Sequence, residues 1–531
     1  MHQHFHHKRL GCTRLRHTFC QPALAFLCLA VAILGLPAAS GQACPDFYWH
    51  LLLSEDILAH RSLRFADTLS FSPEGAPYLL TQWLGELVTV GLPYKLGGFT
   101  GTAVVASALG LAVLALAFRT ACLYLPPGPS LVLALALGAP FLSVYARPQV
   151  LSFVLCAVLV LILERARSQG WHARWLWSVA ALMALWPNVH GSYPVGLLLL
   201  ALHLACPLIA RALTPASQAR ASATSAWRVA GFLVVGLLAT LLNPWGYESW
   251  LRVIEIAQYQ TTKSGVISEW LPTSFGTELG STYLLCVLGA LLLMAASRVR
   301  PSCEDLLFTF LVVVFGLLAS RQSYYALIAL VPIAARAAAG APMLEAVSRL
   351  TSLRVPAPWA CLALAGAATF HFAQQHVQTA ALERYSRKVF PVEAAAFVKR
   401  TGLTGKVFNE TTAGGWMAHH MRVPVYIDGR LDLHGDRKFF EWFFARNGVP
   451  GWEEVVERSG ADMAVLQTQS PLLQLLMSSG AWALVHSDQA YSVAVLRSAH
   501  GSFAVEHEKT ALARPSIFDS SGRLALPPLG Y

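Results

Sequence analysis

Long apolar stretches separated by short polar turns dominate the pattern of residues along the first 374 positions. Ten of them follow an initial apolar segment at 22–38, and they fall near 101–119, 129–144, 149–164, 175–188, 193–211, 228–242, 281–296, 305–320, 322–338 and 357–373. Several reach the roughly 20 apolar residues that a helix needs to cross a bilayer. The pattern therefore predicts an α-helical polytopic membrane protein.

The pattern changes after residue 374, because charges become frequent and the apolar runs shorten. Helix-like pieces are expected at 391–401, 436–446, 450–459 and 471–478, and strand-like pieces at 405–408, 423–427, 462–466, 482–486 and 491–496. Alternation of the two indicates a small α/β domain. We therefore divide the chain into a basic tail (1–21), a transmembrane domain (22–374) with a large first outer loop (41–100), and a soluble α/β domain (375–531).

Basic linkers predict the orientation of the helices. Arginines cluster at 164–174, 211–228, 298–300 and 336–354, and placing these linkers and the N-terminus in the cytoplasm gives one consistent alternation. The alternation requires about eleven spans. It leaves the weaker apolar stretch 80–96 as an interfacial or re-entrant piece on the outer side, and it places everything after 374 outside.

The amino-acid composition excludes some classes of function. The chain has 531 residues, a mean hydropathy of +0.50, only 13% charged residues and a net charge of +10. In a membrane protein such an excess belongs in cytoplasmic loops, so no nucleic-acid binding is expected. The ten cysteines show no metal-binding spacing. The segment 22–38 is favoured as an uncleaved anchor over a cleavable signal peptide.

The stretch Asp46-Phe-Tyr-Trp-His50 opens the first outer loop and carries the first candidate chemistry. Four residues apart, Asp46 and His50 would share one face of a helix. A carboxylate there could act as a general base, or as a metal ligand, and His50 could assist it or bind a phosphate. The alternative is structural, since Pro45-Asp46 before an apolar run is also an ordinary helix start.

Two arginines stand in turns that the alternation places outside. Arg147 lies between two apolar segments with Gln149 beside it, and Arg321 has Tyr324 beside it. A guanidinium at the outer leaflet suits a lipid-linked phosphate through paired hydrogen bonds. The alternative is an arginine that reaches along a helix end to water. Polar groups at membrane depth usually face a cavity or a substrate path, which favours function.

Three further motifs complete the candidate set. Asn188 and His190, in the turn after Trp186-Pro187, could bind sugar hydroxyls or phosphate, or could simply form a helix-breaking turn. The pair Glu269-Trp270 could supply a second carboxylate facing Asp46 and a ring that stacks on a sugar, or only a solvated acid. At the end of the strand 423–427, Asp428 and Arg430 could clamp a polar acceptor, although a turn held by a local ion pair is the simpler interpretation.

In their order along the chain, these motifs resemble the GT-C superfamily of membrane glycosyltransferases, which includes protein O-mannosyltransferases and lipid A aminoarabinose transferases. Within it, the chain is most similar to bacterial multi-pass members with a C-terminal exterior domain. The motifs cover most of residues 22–500, and they are Pro45-Asp-Phe-Tyr-Trp-His-Leu51, Gln82-Trp-Leu84, Ala146-Arg-Pro-Gln149, Asn188-Val-His-Gly191, Asn243-Pro-Trp-Gly246, Glu269-Trp270 and Ile427-Asp-Gly-Arg430.

The resemblance implies a catalytic aspartate, which maps onto Asp46, and a polyprenyl-phosphate site, for which Arg147 and Arg321 are the candidates. Glu269 is the position for a further outer-loop acid. The expected reaction is inverting transfer of a sugar from a polyprenyl-phosphate-linked donor to an envelope glycan, lipid or protein. The expected location is the outer face of a bacterial cytoplasmic membrane. Known members carry paired acids where this chain has Asp46-Phe47, so use of a divalent cation stays open and no metal ligand is assigned.

Two other classes of function remain as alternatives. A transporter or flippase of a lipid-linked or anionic substrate would need polar residues in mid-span and inverted repeats, whereas here the polar groups cluster at one face. A non-catalytic envelope assembly protein would tolerate substitution of the membrane-proximal residues but not of the domain surface. Release of polyprenyl phosphate discriminates between these classes and the enzyme.

Overall fold

The structure is a computed structural model that describes residues 44–71, 77–138, 140–141, 144–169, 171–213, 223–259, 267–342 and 386–508. The first and last predicted spans, 22–38 and 357–373, lie outside this set. Every predicted apolar segment from 101–119 to 322–338 overlaps a helix. The membrane-domain helices are α1 (Phe47–His60), α2 (Trp83–Glu86), α3 (Leu92–Ala121), α4 (Pro127–Gly138), α5 (Pro148–Gln169), α6 (Ala173–Val189), α7 (Tyr193–Leu213), α8 (Ala223–Ala239), α9 (Glu248–Gln258), α10 (Glu278–Ala296), α11 (Cys303–Leu318) and α12 (Ser320–Ala339).

Four helical stretches in the described part of the chain are long and apolar enough to cross a membrane. They are Trp83–Ala121, Pro148–Gln169, Tyr193–Leu213 and Glu278–Ala296, and Pro127–Gly138 and Trp227–Ala239 are shorter apolar helices. The fold is therefore predominantly helical and its helices have the composition of membrane spans. The total of about eleven spans stays a prediction.

The stretch 80–96 forms the first part of a long helical run. A π-helical turn, Leu87–Gly91, joins α2 to α3, and the helix is then interrupted at Gly97 and Gly98, whose backbone torsions are not helical. Gly98 has φ of 56°, a conformation that residues with a side chain rarely adopt. The break separates the weakly apolar piece from the strongly apolar one, Phe99–Ala121.

The two ends of α5 carry different charge clusters. Arg147 immediately precedes the helix, and Glu164 lies seventeen residues further on, which at about 1.5 Å per residue is roughly 25 Å away. Glu164 accepts a hydrogen bond from the Arg336 guanidinium at 2.7 Å, and Arg336 also donates to Asp305 at 2.7 Å. The end expected to face the cytoplasm therefore carries a buried acid, Glu164, and a half-buried one, Asp305, beside its arginines, which a simple count of basic residues does not reveal.

The C-terminal part builds a four-stranded sheet with helices around it. Its strands are β3 (Val407–Asn409), β4 (Met463–Gln467), β5 (Trp482–Ser487) and β6 (Tyr491–Leu496), in the order β3-β4-β6-β5; β1 (Arg64–Ala66) and β2 (Pro77–Leu79) pair separately in the first loop. The first pair, β3 and β4, is parallel and the others are antiparallel. The helices are α13 (Val392–Thr401), α14 (Thr411–His420), α15 (Leu431–Arg446), α16 (Trp452–Ser459), α17 (Pro471–Ser478) and α18 (Arg497–His507).

One sequence prediction for this part is wrong. The segment 423–427 is not a regular strand: Val425 makes only isolated bridges, and the amide of Tyr426 donates to the Asn409 side chain at 2.9 Å. Proline at position 424 removes one donor, and the Asn409 amide replaces part of the ladder. Two helices of this part, α14 and α18, have no counterpart among the predicted elements.

The first outer loop and the C-terminal part share one hydrophobic core. Phe47 and Tyr48 of α1 belong to the same buried cluster as Phe390, Val407 and Val493. Close packing explains the glycine inside α14, because a Cβ at Gly415 would lie 3.0 Å from the backbone nitrogen of Trp49. The C-terminal segment is therefore packed directly onto the helix that carries Asp46.

Candidate active site

An aspartate before α1 meets an arginine before α5. Asp46 occupies the N-cap position of α1, yet its carboxylate makes no capping hydrogen bond. The carboxylate accepts instead from the Trp49 indole at 3.2 Å and forms an ion pair with Arg147. The Asp46 side chain is thus directed away from the helix backbone and toward another element.

Arg147 lies between two acids. Its guanidinium donates to Glu269 Oε1 at 2.5 Å and to Asp46 Oδ2, and its Nε donates to the Cys44 sulfur at 3.1 Å. The side chains of Arg147, Asp46 and Glu269 are 19%, 31% and 44% exposed, respectively. This cluster of three charged groups can therefore be reached by a ligand, and the prediction that Glu269 faces Asp46 agrees with their shared contact.

Glu269 and Trp270 come from a short 3₁₀ turn, Ser268–Trp270, that is tied to the start of α12. The amide of Ser320 donates to the carbonyl of Leu271 at 2.8 Å. The Arg321 guanidinium lies over the Trp270 ring, 4.2 Å from its centroid, in a cation–π contact. Trp270 thus holds the second candidate arginine next to the turn that carries Glu269.

The pKa values of the two acids in this cluster shift in opposite directions. Burial raises the pKa of Asp46, and Arg147 opposes that rise. Arg147 holds the pKa of Glu269 below its ordinary value, against the effect of burial. Burial disfavours the charge on Arg147, but Cys44 and the two carboxylates raise its pKa well above the usual value. At neutral pH we expect Arg147 to be charged and Asp46 to be the acid that accepts a proton more readily.

Two histidines lie within electrostatic reach of these charges. Burial lowers the pKa of His50 well below its usual value, and Arg147 adds to that effect. Burial, followed by Arg321, lowers the pKa of His190 to about 3, and its Nδ1 accepts from the Ser192 amide at 3.1 Å. Both imidazoles are therefore neutral at neutral pH.

Other predicted site residues have structural partners. Asn188 accepts from the Trp83 indole at 3.0 Å and donates to the carbonyls of Ala184 and Leu242, at 2.9 and 3.3 Å. These bonds join α6 to α2 and to the residues after α8, so the Asn188 amide is occupied by the packing of the fold.

The residues predicted to accompany the two arginines lie at the ends of their helices. The Tyr324 ring stacks on Phe153 with centroids 5.0 Å apart. The carbonyl of Gln149 accepts from the Ser152 hydroxyl at 2.6 Å. Substrate contact by Gln149 and Tyr324 stays a prediction.

The sequence Asp428-Gly429-Arg430 forms a closed ion-pair cluster. Arg430 donates to Asp67 Oδ1 at 2.8 Å and to Asp428 Oδ2 at 2.5 Å, and all three side chains are 0% exposed. His434 adds a contact to Asp428 at 3.2 Å. The prediction that Asp428 and Arg430 clamp an acceptor directly is wrong for this structure, because neither charge is accessible.

The turn nevertheless reaches the Asp46 carboxylate through its glycine. A Cβ built on Gly429 would lie 2.6 Å from Asp46 Oδ1 and 3.0 Å from Trp49 Nε1. Residues with side chains therefore cannot fit there without moving the carboxylate or the indole. The buried ion pairs on either side hold this turn in place against α1.

The sequence analysis did not identify Glu86 as a site residue. Its carboxylate lies 3.2 Å from His50 Nδ1, and both side chains are buried. A signal was present, because Glu86 is the one acid in the apolar run 80–96, and a buried acid in such a run usually has a specific partner. The partner could not be read from the sequence, since it lies 36 residues earlier.

Within the described residues, no group of three or more histidine, cysteine, aspartate or glutamate side chains is arranged to hold a metal ion. Asp46 and Glu269 both face Arg147, whose positive charge occupies the place between them where a cation would bind. The side chains of this cluster therefore do not fit a metal in the arrangement seen here.

Two solved structures have the same fold as this chain. No family model and no curated protein sequence matches it. The archaeal oligosaccharyltransferase AglB from Archaeoglobus fulgidus, in complex with an inhibitory peptide and a dolichol-phosphate, matches with TM-score 0.53 at 12% identity over 86% of this chain and 70% of that one. ArnT from Cupriavidus metallidurans in the apo state matches with TM-score 0.50 at 14% identity over 91% of this chain and 98% of that one.

These matches confirm the resemblance to GT-C glycosyltransferases at the level of the fold. At such low identity a shared fold does not transfer residue roles, and the arrangement of Asp46, Arg147 and Glu269 must be interpreted on its own geometry.

Proposed function

We propose that this protein is a GT-C-type glycosyltransferase that uses a polyprenyl-phosphate-linked sugar. The observation that carries the proposal is the accessible arginine between two acids. Arg147 offers a guanidinium for a phosphate, and Asp46, directly beside it, offers a carboxylate for a proton. Both groups belong to a fold found in membrane glycosyltransferases.

The donor class follows from the chemistry of this cluster together with the fold. AglB was determined with a dolichol-phosphate, a lipid that carries a phosphate at the membrane surface. Arg147 contacts Glu269 and Arg321 contacts the neighbouring Trp270, and apolar helices begin immediately after Arg147 and before Arg321. A phosphate with an apolar tail satisfies both features.

Binding of the donor phosphate would activate Asp46. In the ligand-free arrangement Arg147 neutralises the Asp46 carboxylate and makes it a poor base. A phosphate competes for the guanidinium, and loss of that partner raises the pKa of the carboxyl group further. Donor binding and base activation are therefore coupled through a single side chain.

The transfer step then requires only groups that are present. An acceptor hydroxyl attacks the anomeric carbon of the donor while Asp46 takes the hydroxyl proton. The bond between that carbon and the phosphate oxygen breaks, and polyprenyl phosphate leaves with its negative charge opposite Arg147 and Arg321. Attack from the face opposite the leaving phosphate inverts the anomeric configuration.

The predicted topology places this chemistry on the outside of a bacterial cytoplasmic membrane. With the N-terminus inside, about eleven spans bring the first loop and residues 375–531 to the same outer face. The contact between α1 and α14 supports this common side, because the two elements share one core. The acceptor is then an envelope glycan, lipid or protein.

The test is release of polyprenyl phosphate by the purified protein, with a mixed pool of lipid-linked sugars and a membrane extract as acceptor. We expect Asp46→Asn to lower the rate by about 10² to 10⁴ while insertion and thermal stability stay normal. Asp56→Asn is the matched control, because Asp56 lies on the same helix but pairs with His60. Parallel reactions with chelator determine whether a divalent cation takes part.

Two results would contradict the proposal. Equal release by wild type and Asp46→Asn would remove Asp46 from the chemistry. Absence of release from wild-type protein that binds the lipid donor would favour transport or assembly over transfer.

A further inference from the structure

A carboxyl group and an imidazole form a buried pair one helical turn from Asp46. His50 Nδ1 lies 3.2 Å from Glu86 Oε1, and the two side chains are 6% and 1% exposed. The second oxygen of Glu86 has no hydrogen-bond partner among the described residues. Among the described residues, His50 is thus the only hydrogen-bonding partner of this carboxyl group.

Burial of both groups determines their most stable charge state. An isolated charge is costly to bury, and the pair contains no cation other than His50 itself. The pair carries no charge at all when Glu86 is protonated and the imidazole is neutral. In that state Glu86 donates its proton to a hydrogen bond with Nδ1, and the imidazole carries its own hydrogen on Nε2. Glu86 would therefore set which imidazole nitrogen is the donor.

His50 lies one helical turn from Asp46, the acid that pairs with Arg147. The backbone amide of His50 donates to the carbonyl of Asp46 at 3.2 Å, so the two residues begin the same turn. Arg147 and His190 are the charged and titratable side chains that act on His50. Its Nε2 makes no hydrogen bond with a described residue, so that N–H is available to a ligand.

We propose that Glu86 is a positioning residue: it fixes His50 as the Nε2–H tautomer, which donates a hydrogen bond to the phosphate of the lipid-linked donor. The inference rests on the proposed function for the identity of the ligand, but it concerns binding alone and involves no covalent step. It assigns a third donor to the phosphate site, next to Arg147 and Arg321.

The test is equilibrium binding of undecaprenyl phosphate to detergent-solubilised full-length protein. Glu86→Leu removes the partner of Nδ1, and we expect affinity to fall about 10-fold, the size of one hydrogen bond to a charged group. Glu86→Gln keeps an amide N–H that can donate to Nδ1, and we expect affinity within about 2-fold of wild type. Thr89→Val, a buried change one turn further along, is the matched control.

A double-mutant cycle separates positioning from general packing. In the His50→Ala background, Glu86→Leu and Glu86→Gln should have equal affinity, because the residue through which Glu86 acts is gone. A 10-fold loss that persists in this background would overturn the proposal, and so would full affinity in Glu86→Leu. Thermal stability of each variant verifies that it is folded.

Binding and turnover distinguish this inference from the proposed function. If wild type binds undecaprenyl phosphate in a Glu86-dependent way but releases none from sugar-linked donors, the transfer reaction fails and the phosphate site stands. If turnover depends on Asp46 but substitution of Glu86 leaves the affinity for undecaprenyl phosphate unchanged, the transfer reaction stands and the proposed role of Glu86 fails.

Discussion

Arg147 and Arg430 each lie between two carboxylates, and they differ in what can reach them. Arg147 contacts Asp46 and Glu269, with 19% of its side chain exposed. Arg430 contacts Asp67 and Asp428, with 0% exposed. The first guanidinium is accessible to a ligand, as the proposed function requires, whereas the second is enclosed and contacts only protein groups.

The comparison shows that charge pattern alone does not define a binding site. Both clusters join the first outer loop to a distant part of the chain through one guanidinium. In the closed cluster His434 and the backbone amide of Arg430 also hold Asp428, at 3.2 and 2.9 Å. The open cluster lacks such additional donors on Glu269 in the described residues. The number of hydrogen-bond donors on each acid therefore distinguishes a structural ion-pair cluster from one that can rearrange.

The largest expected effect is on turnover after loss of the open arginine. Arg147→Met removes the proposed phosphate donor and leaves Asp46 and Glu269 without their partner, so we expect about a 10³-fold lower rate of polyprenyl phosphate release. Thermal stability should change little, because both acids retain contact with water. Unchanged turnover in a folded variant would show that the open cluster is not the site.

The closed arginine should show the opposite behaviour. Arg430→Met leaves Asp67 and Asp428 buried without a counter-charge, which we expect to destabilise the fold by about 3–5 kcal/mol. Thermal unfolding and yield of folded protein measure this. The control is Arg437→Met, at a side chain that is 93% exposed, for which almost no change is expected. A stable Arg430→Met variant would mean that the two clusters are less different than their burial indicates.

A smaller effect on turnover is expected from a side chain added at Gly429, where the turn of the closed cluster meets the Asp46 carboxylate of the open one. Gly429→Ala places a methyl group 2.6 Å from the Asp46 carboxylate, so the carboxylate must shift away from Trp49 or the turn must lift. We expect about a 10-fold loss of turnover with only a modest loss of stability, since a small misplacement of a reacting group is costly. Gly501→Ala, where nothing lies within 4 Å, is the control.

The smallest effect concerns the pH dependence of the open cluster. The proposed mechanism requires ionised Asp46. Burial raises the pKa of Asp46 above its ordinary value of 3.8, and Glu269 adds a smaller rise, whereas Arg147 opposes both. The rate should therefore fall on acidification at a pH above 3.8. Glu269→Gln removes one negative neighbour, so the acid limb should move to lower pH by a few tenths of a unit. A limb that moves upward would mean that another group controls it.

Much of the architecture could be predicted from the sequence because it depends on local patterns. Apolar runs long enough to span a bilayer became helices, and the alternation of short elements after 374 identified most of the sheet. The wrong strand prediction lies where a distant side chain joins the backbone pairing. In 423–427 the Asn409 side chain accepts from the amides of Tyr426 and Ile427, and Val425 makes only isolated bridges.

The candidate site could be predicted only in part, because residue types are visible in the sequence but long-range contacts are not. Acids and arginines in apolar surroundings are conspicuous in a sequence, which identified Asp46, Arg147, Glu269 and Arg321. Their mutual contacts, the enclosure of Arg430 and the pairing of His50 with Glu86 depend on residues 36 to 363 positions apart.

The sequence by itself determined the class of fold and the set of chemical groups available, because hydrophobic length and residue type are local properties. Only the tertiary structure decided which guanidinium is open and which is closed. Accessibility depends on every element packed around a side chain, and it separates one arginine that can bind a ligand from another of the same chemistry that cannot.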